Sequence, residues 1–203
     1  MRYSTAACCH DLPMWSNLVS NPRRGRQVIG LFILSFGVAA LGLPAMGRMG
    51  TRVSIIDLQF MRTSENAVEK IALLGPSGVD AAQMAHYLDF PYLVTYGLAL
   101  SAASVVLAAR AADRGRTRLA VVGPLVAWFA VAAAAFDGLE DVAILFVLGG
   151  STGQPWPALA FAFASVKWML LAVVIVYLIA GIALTLRKRD TTAEPSTDEG
   201  VPA

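Results

Sequence analysis

Charge is what this sequence has least of. Only 15% of its residues are Asp, Glu, Lys or Arg, against 57% hydrophobic ones. Soluble globular domains carry about 25% charge, so a water-soluble body is excluded. Cysteine is confined to the adjacent Cys8 and Cys9, which excludes a disulfide framework. With His10 they form a short run in a polar tail that fits no usual metal-ligand spacing. No secretory signal is legible. The first apolar run is long, begins after an arginine cluster and has no small-residue cleavage site before the next charges, so it is expected to stay in the mature protein. Met14 is an alternative start that would remove the two cysteines. No internal repeat is visible, which argues against a transporter built from inverted halves. The basic residues form no separate patch, so nucleic acid is not an expected partner.

What the sequence does have is long apolar runs. Four stretches, 28–47, 84–109, 119–148 and 157–186, meet the requirement of about 20 apolar residues for a hydrocarbon core about 30 Å thick. The expected fold is therefore all-α, a four-helix transmembrane bundle filling residues 28–186. A tail of residues 1–27 precedes it. A second tail, 187–203, has almost no large apolar residue and is expected to be disordered. Arg23, Arg24 and Arg26 precede the first stretch, Arg110, Arg114, Arg116 and Arg118 join the second to the third, and Arg187, Lys188 and Arg189 follow the fourth. Basic residues at span ends stay in the cytoplasm, so both termini are expected there.

The link between the first two spans would then face outward. In it Ala67, Val68, Ile71 and Leu74 repeat at helical spacing opposite Glu65, Glu69 and Lys70, which predicts a short extracytoplasmic amphipathic helix. Thr63 or Ser64 can cap its start, and Gly75 with Pro76 is expected to stop it. Asp80 and Gln83 read as a capping pair opening the next helix. Pro91 is expected to interrupt that helix and free the carbonyl of Tyr87. Pro157 suits a first helical turn.

Five ionisable residues lie inside or at the edge of these apolar stretches: Asp89, Asp137, Glu140, Asp141 and Lys167. Each costs about 2.5 to 3.5 kcal/mol at the bilayer centre even on the mildest scale. Arg110 to Asp89, Arg118 to Glu140 and Arg187 to Lys167 are separated by 21, 22 and 20 residues. At 1.5 Å per residue each separation is about 30 Å. Three helices thus put their ionisable groups at one depth, near the outer boundary of the hydrocarbon. Asp137, Glu140 and Asp141 share one helical face, and His86, Asp89, Tyr92 and Tyr96 share another. Four carboxylates exceed one ammonium, so Lys167 cannot neutralise the layer alone. Protonation, water, a bound cation or loop arginines such as Arg52 and Arg62 must supply the rest. A buried network that only fixes helix register is the plainer alternative. Trp15, Trp128, Trp156, Trp168 and Tyr177 read as packing or interfacial anchors.

Four pieces of sequence, IDLQFMRTSENAVEKIALLG at 56–75, YLDFPYLVTYG at 87–97, FDGLEDV at 136–142 and KW at 167–168, together resemble a group of small four-span bacterial integral membrane proteins. In that group the third piece reads Asp, two apolar residues, Glu, Asn; Asp137 and Glu140 match, whereas Asp141 replaces the amide. The resemblance implies a multi-pass protein of the bacterial inner membrane, and it adds Asp57 to the candidate site. It implies no reaction.

Three functions are open on this reading. The first is an enzyme or binder for a lipid or isoprenoid at the membrane boundary, with Asp89 and Glu140 as acid and base and Lys167 holding one carboxylate ionised. Asp57, His86, Tyr92, Tyr96, Asp137 and Asp141 would bind or orient the ligand. The second is a small proton-linked carrier or a binder of cationic ligands, for which an acidic, aromatic-lined cavity is suitable; the apolar inner two-thirds of the helices disfavours a translocation path. The third is an accessory subunit with a structural charge network. Clustered oxygens could hold Mg²⁺ against a lipid phosphate, but the spacing matches no metal motif, and neither a cofactor nor an oligomeric state is legible.

Overall fold

A computed structural model describes residues 24–48 and 53–186. The described residues are all-helical, without strands. Five helices follow one another: α1 (Arg24–Arg48), α2 (Ile55–Gln59), α3 (Ser64–Asp113), α4 (Thr117–Leu148) and α5 (Trp156–Leu186). Among the described residues, α3, α4 and α5 are long and apolar enough to cross a membrane, and α1 carries a shorter apolar stretch, Ile29–Leu41. The Cys8, Cys9 and His10 run, Arg52, the last basic cluster and the expected disordered tail lie outside the described residues.

α4 is central, packed against α3 on one side and α5 on the other. α1 lies on α3. Small residues permit the close approach of α3 and α4. A side chain on Gly97 would put its Cβ 2.7 Å from that of Ala134, and one on Gly123 would overlap Ala108. In a bilayer, where lipid is as apolar as leucine, such close backbone packing is what holds helices together. Leu107, Val126, Ala130, Val174 and Tyr177 fill one apolar layer near the Arg110 to Arg118 end. Leu58, Met61, Leu74, Ile144 and Val147 fill another near the 149–155 link.

The segment between α1 and α3 is an anchored wedge. Val53, Leu58 and Met61 are buried. Ser54 caps α2 in a capping box: its Oγ accepts from the Asp57 amide at 3.2 Å, and Asp57 Oδ2 accepts from the Ser54 amide at 2.8 Å. The Ser54 N–H and hydroxyl hold the Asp57 carboxyl below its ordinary 3.8.

Three local expectations are corrected here. Asp80 does not open a helix, because α3 resumes at Pro76 straight after Gly75 (φ 64°, ψ 175°). Proline has its φ preset for a helix and lacks one of the N–H groups that a first turn leaves unpaired, so the helix can resume there. Pro91 does not interrupt α3, whose only non-helical residue is Gly75; neighbouring helices hold the ladder in register across the lost bond. Val68 is exposed, unlike Ala67 and Leu74, so the arm of α3 preceding Gly75 buries a narrower stripe than its periodicity implied. Thr63 is the N-cap, its Oγ1 accepting from the Asn66 amide at 3.2 Å.

Candidate functional site

Between the two apolar layers lies a polar one. Its geometry follows from helix periodicity. Asp137, Glu140 and Asp141 recur at i, i+3 and i+4 on α4, and that face turns inward, leaving them 6%, 0% and 1% exposed. It meets His86 and Asp89 from α3 and Lys167 from α5.

Lys167 Nζ donates to Asp137 Oδ1 at 2.8 Å and lies 2.6 Å from Glu140 Oε2. The second contact is an ion pair by distance only, since Glu140 Oε2 has no well-directed hydrogen bond. Asp137 is better served, because its Oδ2 also accepts from the Tyr96 hydroxyl at 2.8 Å. On the other side of the layer His86 Nδ1 and Asp141 Oδ1 are 2.7 Å apart, with both side chains buried. His86 Nε2, Asp141 Oδ2 and Glu140 Oε1 are buried without a partner. Polar atoms buried in this way cost about 1 to 3 kcal/mol each.

The layer forms one wall of a partly open cavity of about 390 Å³. His86, Asp89, Tyr92 and Tyr96 supply its floor from α3, and Asp137, Asp141 and Lys167 complete the polar end. The side walls are Phe32, Ser35 and Phe36 of α1 and Trp168, Leu171 and Ile175 of α5. α1 and α5 both rest on α3 but make little contact with each other, so the cavity is a cleft between them. Ile55 and Gln59 of α2 close one end, and Gln59 Oε1 accepts from Trp168 Nε1 at 3.3 Å.

The structure therefore brings His86, Asp89, Tyr92, Tyr96, Asp137, Asp141 and Lys167 to one cavity. Glu140 stands behind Lys167 and does not line it. Asp57 stands apart, committed to the α2 cap, with Lys70 4.0 Å away. Arg62 does not help neutralise the acids; it lies over the Phe161 ring, 4.2 Å from the centroid.

Sequence reasoning missed the His86 and Asp141 pair, the cleft walls on α1 and the role of Gln59. Trp168, read as an anchor, is a wall of the cavity. Its adjacency to Lys167 was the available signal for Trp168; for Gln59 it was a buried-side amide three residues before the next charge, at the end of IIDLQ.

Oxygens of Asp89, Asp137 and Asp141 lie within 4.8 Å of one another, which is the donor type of hard cations. Both Asp137 oxygens already accept from Lys167 and Tyr96, however, so the group offers two carboxylates rather than a coordination sphere. What the site can do is accept protons or hydrogen bonds from a head group while apolar walls hold the rest of the molecule. Neither a family model, nor a curated protein, nor a solved structure matches this chain.

Proposed function

We propose that this chain is a four-span protein of the bacterial inner membrane, one of the small four-span group its sequence resembles, and that it binds a lipid- or isoprenoid-type amphiphile. Both termini face the cytoplasm, and the segment carrying α2 and the first arm of α3 covers the outer end of the bundle. The amphiphile enters from the side, between α1 and α5, and places its polar end against Asp89, Asp141 and His86. Lys167 and Glu140 position Asp137 from behind.

The observation that carries this reading is the cleft itself: apolar walls from two helices that scarcely touch, a charged floor, and α2 residues closing one end. A proton-linked carrier would need polar groups along the inner half of the helices, whereas Leu107, Val126, Ala130 and Val174 pack there.

Native mass spectrometry of the protein extracted from bacterial membranes tests the site. The wild type should retain an amphiphile. Leu171→Trp, which fills the cleft, should lose it, while Val176→Trp on the exposed face of α5 should not. The same lipids on all three proteins would remove the cleft as the site.

Topology is tested separately, in a chain whose Cys8 and Cys9 are serine. A membrane-impermeant thiol reagent should reach cysteines at Ser77 and Thr152 in intact cells and should leave one at Thr117 unlabelled. Labelling of Thr117 from outside would invert the arrangement.

A further inference from the structure

Resting on the reading of the cleft as an amphiphile site, we propose that the head group it takes is a hydrogen-bond-donating cation, a protonated amine on an apolar body. The polar end of the cavity is rich in acceptors and its one cation is spent; the donors left to a ligand are the neutral Tyr92 hydroxyl and, at the α2 end, the Gln59 amide. Lys167 and the Tyr96 hydroxyl are both directed at Asp137. What remains to accept is Asp89, the unpartnered Oδ2 of Asp141, and His86.

His86 is the independent observation. It is 2% exposed and lines the cavity, and its Nδ1 is committed to Asp141 Oδ1 at 2.7 Å. A carboxylate fixes the proton on the nitrogen it faces, so the neutral ring keeps a lone pair on Nε2. That nitrogen has no partner. It is an acceptor awaiting a donor.

Three head-group classes can be weighed against these atoms. A phosphate or carboxylate would bring acceptors to acceptors, beside Asp89 and Asp141, with the one lysine already shared between two acids. A hydroxyl would satisfy one acceptor and leave the acidic charge uncompensated. An ammonium carries three N–H donors and a positive charge. It can pair with Asp89, which lines the cavity beside His86 and Asp141, and it brings positive charge to a layer in which four carboxylates share one lysine. Tyr92, Tyr96 and Trp168 add ring faces that favour a cation in a desolvated site. Phe36, Leu100, Leu171 and Ile175 supply the surface for an alkyl or prenyl body.

The experiment uses the full chain in a zwitterionic detergent and three probes with the same tail: dodecylamine, dodecanol and dodecyl phosphate. Ligand that binds only the folded state raises its unfolding temperature. Dodecylamine should bind about tenfold or more tightly than dodecanol, with dodecyl phosphate weakest. Asp89→Asn should remove most of the amine's advantage over the alcohol. Equal stabilisation by amine and alcohol, lost in Leu171→Trp, would overturn the cationic head group while the amphiphile site stands. Stabilisation that survives Leu171→Trp, or none from any probe, would overturn both. The comparison among probes on the wild type requires no variant to fold.

Discussion

Lys167→Met should destabilise the detergent-solubilised protein by about 3 to 5 kcal/mol, the range for breaking a buried ion pair by removing one partner. Two carboxylates lose their cation at once, at positions 6% and 0% exposed. The geometry further predicts which second substitution restores stability. Asp137 keeps the Tyr96 hydroxyl after the lysine is gone, whereas Glu140 has no other partner. Lys167→Met with Glu140→Gln should therefore recover more stability than Lys167→Met with Asp137→Asn. Double-mutant cycles on denaturant or thermal unfolding measure both couplings. Additive effects for both acids would sink the paired-charge account. Strong coupling in a protein whose single mutants all retain their amphiphile would make this half of the layer architectural.

The second large effect is expected at Gly123. A Cβ there would overlap Ala108 of α3 and lie 2.6 Å from the Tyr177 hydroxyl of α5. Neither neighbour yields cheaply. Ala108 is part of a packed helix, and the Tyr177 hydroxyl is held by the Leu119 carbonyl at 3.0 Å. Overpacking of this kind costs about 1 to 3 kcal/mol, and Gly123→Val should reach at least the upper end of that range. Gly37→Val on α1, where no atom lies within 4 Å of the added Cβ, is the control and should be nearly neutral. Similar unfolding temperatures for the two variants would show that α3, α4 and α5 are not held by close backbone approach.

These two predictions draw on different kinds of information. The value of Lys167 was legible in the sequence, because it is the single lysine or arginine within long apolar runs and because burying an ion has a cost that does not depend on the fold. Its partners were not. Asp89, Asp137 and Glu140 stood equally well at its depth, and only the rotation of α4 about its axis gave Lys167 to Asp137 and Glu140 and left Asp141 to His86. The value of Gly123 was hidden altogether. Gly37 and Gly123 look alike in an apolar sequence, and only the close approach of α3 to α4 makes one of them irreplaceable.

By itself, then, the sequence determined the all-helical class, three long apolar helices and the positions of the ionisable residues, since hydrophobic length and helical periodicity are properties of neighbouring residues. The tertiary structure decided the pairing of the charges, the continuity of α3 through Pro91, and the cleft between α1 and α5. Each of these depends on how one helix is rotated and crossed against another, and that is set by small residues and side-chain shapes meeting from distant parts of the chain.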